Sequence, residues 1–114
     1  MLKIYHNPRC SKSRETLALL SEHSSAIEVI DYLKTPPTEQ ELRQLLSLLG
    51  ISARQLLRSK EPEYAALGLD NTALTEQQLI TAMLNTPKLI ERPIVVNGNK
   101  AAIGRPASNV LAIL

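Results

Sequence analysis

Residues 2 to 6, LKIYH, alternate apolar and polar as a short strand does, and Asn7-Pro8 ends the run with turn chemistry. From Ser11 the spacing turns helical, with Leu17, Leu19 and Leu20 on one side and Ser11, Lys12, Arg14 and Glu15 on the other. This helix runs to about Glu22, and IEVIDY at 27 to 32 again has the pattern of a strand. Strand, helix and strand in so short a stretch require a crossover, and the handedness rule makes the two strands a right-handed parallel pair.

The middle of the chain has a different pattern. Pro36 and Pro37 close the βαβ unit, and Thr38 with Glu41 forms a capping-box signature ahead of Leu42, Leu45, Leu46 and Leu49, with Gly50 as a natural stop. Ser52 with Gln55 repeats the signature for a shorter helix ending near Arg58, and Pro62 opens another that ends near Gly68. Thr75 with Gln78 starts a fourth, with Leu79, Ile80, Met83 and Leu84 on one side. Residues 38 to 85 are therefore expected to be helical, without a strand. After Pro87 the β signal returns: Asn97-Gly98 after Ile94-Val95-Val96 is a hairpin cue, with Asn99 to Ile103 as the returning strand. Gly104-Arg105-Pro106 breaks that strand, and Ser108 is placed to cap a last helix through Leu114. The order is βαβ, helical insertion at about 38–85, then ββα: an α/β chain with a mixed sheet, expected to form a single domain over residues 1–114.

With no Phe, no Trp and three Tyr, the core has to be built from Leu, Ile, Val and Ala. Thirteen basic against eleven acidic residues is too even a balance for a nucleic-acid binder, so any basic function must be local. No apolar run is long enough to span a bilayer, and the first residues lack the apolar stretch of a signal peptide; a soluble, cytoplasmic protein is expected. A single cysteine excludes an internal disulfide, and with only His6 and His23 beside it no metal site is expected.

That cysteine, Cys10, lies where the first strand gives way to the first helix, close to unpaired backbone N–H groups and the positive end of the helix dipole. Arg9, Lys12 and Arg14 add positive charge, as does His6 when protonated, and together these favour thiolate over thiol. The same features would hold an incoming oxyanion, so one set of groups serves both nucleophile and substrate. Ser13 stands where a dithiol enzyme carries its resolving cysteine, so a two-electron reduction must be completed by an outside thiol. Ser13 is also on the same side of the first turn and can donate to the thiolate or to a bound anion. The phosphate loop of cysteine phosphatases, Cys, five residues and then Arg, is absent: Thr16 holds the arginine position and the arginine falls at Arg14.

Tyr5-His6-Asn7-Pro8 through Cys10, Ser13-Arg14 and Thr16-Leu17 resembles the active-site segment of glutaredoxin-coupled arsenate reductases. Leu56-Leu57-Arg58, Glu61-Pro62, Leu67-Gly68-Leu69, Glu91-Arg92-Pro93-Ile94-Val95-Val96 and Gly104-Arg105-Pro106 are similar to later blocks of that family in the same order, so the resemblance spans nearly the whole chain. It implies a thioredoxin-like fold, Cys10 as nucleophile, Arg58, Arg92 and Arg105 as the arginines that bind arsenate or a related small oxyanion, a cis bond before Pro93, and His6 as support for a low thiol pKa. Asn7, Ser13 and Arg14 complete the supporting set. The implied cycle has Cys10 attack arsenate, glutathione attack the adduct so that arsenite leaves, and glutaredoxin clear the mixed disulfide, with no bound cofactor. Ser11 and Lys12 stand where better-characterised reductases have glycine and threonine, and Lys12 is expected to add charge to the pocket. Two other readings are a monothiol glutaredoxin-like thiol oxidoreductase and a binding module resembling the Spx-type regulators. The redox-switched Spx regulators carry Cys-x-x-Cys, which this chain lacks at Ser13.

Overall fold

The computed structural model describes residues 2–114 and resolves into two compact units, one made of the chain up to Thr35 with Arg92–Leu114, the other of Pro36–Glu91.

The first unit is built on a four-stranded sheet in the order β2-β1-β3-β4, with β1 at Leu2–His6, β2 at Ile27–Asp31, β3 at Ile94–Asn97 and β4 at Lys100–Ile103. β1 and β2 run parallel, from Leu2 opposite Ile27 to His6 opposite Asp31, as the crossover requires. β1 and β3 are antiparallel, and β3 and β4 form a hairpin, so the sheet is mixed as expected. The hairpin loop is shifted one residue from the sequence cue. Asn97 pairs with Lys100, leaving Gly98-Asn99 as the loop, with φ +62° at Gly98 and no positive φ at Asn99. Glycine first with an ordinary residue second is the type II′ pattern, which follows the twist of the strands.

α1, Ser11–His23, connects β1 to β2. Leu20 from this helix joins Leu2, Ile4, Val95, Val110 and Ile113 in one buried aliphatic cluster. The chain ends in a 3₁₀ helix, Ala107–Ile113, that begins after Pro106 and has no side-chain cap, so the expected Ser108-capped α-helix is not formed. The apolar spacing explains this: Val110 and Ile113 are buried three residues apart, and a helix of three residues per turn puts that spacing on one line.

The second unit is helical: α2 at Glu39–Leu49, α3 at Ala53–Leu56, α4 at Pro62–Ala66 and α5 at Glu76–Asn85, followed by a 3₁₀ turn at Pro87–Leu89. All three expected capping boxes form, Thr38 with Glu41, Ser52 with Gln55 and Thr75 with Gln78. Gly50, at φ +68°, stops α2 in the left-handed conformation. One expectation fails. α3 ends at Leu56, not near Arg58, because Leu57 turns extended and bridges to Ile90. The extended step at Leu57 turns its main chain toward Ile90, and both Leu56 and Leu57 are buried. The bridge places a β contact inside a segment expected to have none. Its main-chain bonds run from Arg58 N–H to Leu89 O at 2.8 Å and from Glu91 N–H to Leu56 O at 3.0 Å.

No helix among the described residues is long and apolar enough to cross a membrane.

Replacing Thr38 by Ala removes an N-cap acceptor from α2 and should lower unfolding stability by about 1 kcal/mol, whereas Thr38→Ser should cost a few tenths at most. Urea denaturation of the two variants checks this; equal losses would mean the cap contributes nothing.

Candidate active site

Cys10 is the N-cap of α1, with extended backbone angles of φ −96° and ψ 123°, and is buried to 8% relative exposure. The turn that delivers it is closed from both sides: Cys10 N–H donates to Asn7 O at 3.0 Å, and Cys10 O accepts from Arg14 N–H at 3.0 Å. Serine, threonine or aspartate at this position would fold back to cap the helix, but Cys10 makes no side-chain cap hydrogen bond. The first N–H groups of α1 therefore have no acceptor within the helix, and no acidic residue lies in the first turn to neutralise them.

Three of the expected supporting residues form one small network. Ser13 is completely buried, and its Oγ is 2.6 Å from Nδ1 of His6 and accepts the Asn7 N–H at 3.0 Å. Asn7 Oδ1 accepts the Arg9 N–H at 3.0 Å, which tightens the turn further. Burial pushes the His6 pKa below its ordinary 6.5; the Asp31 carboxylate partly offsets this, and the Arg14 guanidinium lowers it again. The ring is thus neutral at pH 7 and adds no positive charge there, so the cationic character expected of His6 must come from arginine. Arg14 is exposed and donates through Nη1 to Pro8 O at 3.0 Å. Lys12, expected to charge the pocket, is about half exposed and pairs loosely with Glu15 at 3.9 Å.

The end of β4 is held tightly against α1. Gly104 N–H donates to Pro93 O at 2.9 Å, and Thr16 Oγ1 is 2.9 Å from Lys12 O and 3.3 Å from Gly104 O. A Cβ on Gly104 would collide with the Thr16 hydroxyl and approach Pro93 Cγ to 2.9 Å. Only glycine permits this approach.

Beyond that contact, Arg105 turns back toward the nucleophile. Its Nη2 donates to Cys10 Sγ at 3.6 Å and its Nε to Arg92 O at 2.8 Å. The bond from Arg92 to Pro93 is cis, as the resemblance implies, and the Arg105–Pro106 bond is cis as well. Arg105 is therefore brought to the sulfur directly, while Arg92 contributes the carbonyl that orients Arg105. Arg58 lies in the helical unit, where its guanidinium pairs with Glu61 and, at 3.6 Å, with Glu91. Thr16 and Gly104 are site-forming residues that sequence reasoning missed. Their signal was present: a polar residue one turn before Leu20 on the buried side of α1, and a glycine directly before Arg105.

The profile of the ArsC family matches residues 5–113, which is nearly the full length. This chain belongs to the ArsC family. It is 50% identical over 114 residues to an arsenate reductase of Neisseria meningitidis serogroup A, covering 99% of this chain and 97% of that one. It is 56% identical over 114 residues to the uncharacterized protein YfgD of Escherichia coli K12, covering 99% and 96%. Among solved structures, an arsenate reductase from Vibrio cholerae superposes with a TM-score of 0.96 at 50% identity, covering 99% of this chain and 97% of that chain. Homology to ArsC arsenate reductases thus extends over both units, and the sheet topology is the thioredoxin-like one.

Because His6 is held neutral, its lowered pKa contributes stability that is complete above about pH 6.5 and is lost as pH falls through that value toward the folded-state pKa. Denaturant titrations between pH 8 and pH 5 should show this loss in the parent and a flatter profile in His6→Asn. Gly104→Ala should cost about 1–3 kcal/mol through overpacking against Thr16 and Pro93. Thermal unfolding of Gly104→Ala alone and combined with Thr16→Ala checks it, since the second change should recover part of the loss.

Proposed function

We propose that this chain reduces arsenate to arsenite, with Cys10 as nucleophile and glutathione and glutaredoxin as the external thiol donors. The observation that carries this reading is the approach of the Arg105 guanidinium to Cys10 Sγ at 3.6 Å, at a helix N-terminus that the cysteine leaves uncapped. A guanidinium there offers a fork to a tetrahedral oxyanion, whose negative charge must be offset before the sulfur can attack. Arg58 and Arg92 are the other two anion-binding arginines in this proposal.

In the first step Cys10 sulfur attacks arsenic(V), forming the S–As bond and expelling one arsenate oxygen as water once protonated. The glutathione thiolate then attacks Cys10 sulfur. The S–As bond breaks with its electron pair going to arsenic, which leaves as arsenite, and Cys10 remains as a mixed disulfide with glutathione. A glutaredoxin thiolate attacks the glutathione sulfur and returns Cys10 to its starting state. The chain supplies a single sulfur to the cycle, consistent with Ser13 occupying the resolving position and serving instead to tie His6 to the Asn7 turn.

The test is arsenite formation in the presence of glutathione and glutaredoxin. Cys10→Ser should abolish turnover, and Arg105→Ala should lower kcat/KM by about a hundredfold, the scale seen when a preorganised oxyanion donor is removed. Arg105→Lys should recover only part, because lysine keeps the charge and loses the fork. Reduction of glutathione mixed disulfides by the parent protein without any arsenate turnover would overturn the proposal in favour of a thiol oxidoreductase.

A further inference from the structure

A groove of about 390 Å³ opens beside the nucleophile loop, lined by Asn7, Pro8 and Arg9 from the turn and by Asp31, Leu33 and Lys34 from the end of β2. That volume falls within the roughly 300–1,000 Å³ usual for small-ligand clefts. All six lining residues belong to the sheet unit, and Arg9 directly precedes Cys10 in the chain. The parallel register builds it: β1 and β2 end side by side at His6 and Asp31, so the two segments that leave the sheet there form its walls.

Its chemistry is specific. Arg9 and Lys34 are exposed cations, and neither forms an ion pair among the described residues. Asp31 uses its main-chain carbonyl to accept from Lys34 and Thr35 N–H at 3.1 and 2.8 Å, and one carboxylate oxygen accepts from Leu33 N–H at 3.2 Å. These bonds fix the wall and hold the Asp31 carboxylate in the groove lining. Leu33, at 40% exposure, and Pro8 add apolar surface between the charges. Arsenate itself is a poor occupant, since Asp31 would repel it. The ligand that fits two cations, one anion and an apolar patch carries two carboxylates, one ammonium and a short aliphatic body.

We infer that this groove seats the peptide thiol that attacks the Cys10 adduct: a glutathione-type tripeptide, its two carboxylates on Arg9 and Lys34 and its ammonium on Asp31. The assignment rests on the glutathione dependence proposed above and gives it a place. The donor docks on the loop that carries Cys10, on residues other than the arginines assigned to the oxyanion, so both substrates can be bound at once.

S-methylglutathione, which keeps all three charges and cannot react, separates binding in the groove from turnover. Titrated into the full-length protein, it should shift the backbone amide resonances of residues 7, 9 and 31–34 saturably. Arg9→Glu and Lys34→Glu should each weaken that binding by about tenfold, the value of one charge-assisted contact, and glutathione diethyl ester should bind no better than the double variant. In turnover Lys34→Glu should raise KM for glutathione and leave the stoichiometric loss of Cys10 thiol to arsenate unchanged. Unmoved amides in this region, or equal binding by the double variant, would overturn the groove assignment even if arsenate is reduced. Binding here without any arsenate turnover would overturn the reductase proposal and leave the groove standing.

Discussion

The close approach of Gly104 to Thr16 and Pro93 holds the site together. Three chain segments distant in sequence meet where one hydrogen atom stands in place of a methyl group. Thr16 lies in α1, less than two turns beyond Cys10, and Gly104 immediately precedes Arg105, so this contact fixes the distance between the nucleophile and the guanidinium that faces it. The hydrogen bond from Gly104 N–H to Pro93 O extends the β3–β4 ladder by one step and brings the Arg92 carbonyl within reach of Arg105 Nε. The direction of Arg105 is thus set by main-chain geometry as much as by its attraction to sulfur.

A second constraint acts at the other end of the nucleophile loop. Cys10 at the N-cap leaves the helix start uncapped, a loss that would ordinarily weaken a helix by about 1 kcal/mol. The buried Ser13 hydroxyl, tied to Asn7 N–H and His6, holds the turn that carries Cys10. The neutral His6 ring belongs to this scaffold. Positive charge comes instead from the helix end and from the Arg105 guanidinium.

The helical unit has its own logic. Three capping boxes start its longer and shorter helices, and Leu42, Leu56, Ile80, Met83 and Leu89 are fully buried in it without a single Phe or Trp. Arg58 follows the Leu57–Ile90 bridge and is flanked by Glu61 and Glu91, two carboxylates that fix the direction of its guanidinium.

Much of this was legible in the sequence because it depends on neighbours along the chain. The strand alternation of LKIYH, the Thr38, Ser52 and Thr75 caps, the stop at Gly50 and the existence of a hairpin between β3 and β4 are local effects, and so is the placement of Cys10 at a helix start. The errors have equally definite causes. Leu57 left its helix to pair with a residue far along the chain, the last helix tightened to 3₁₀ so that Val110 and Ile113 share a line, and the hairpin loop moved to Gly98-Asn99 because pairing register chose the turn. Sequence determined that a single reactive-type cysteine heads a helix with no partner cysteine. Only the tertiary structure decided that Arg105 faces it, that His6 is buried and neutral, and that Arg9, Asp31 and Lys34 share one groove. Those facts depend on distances between segments that the chain order leaves open, and on burial that exists only once the sheet has closed.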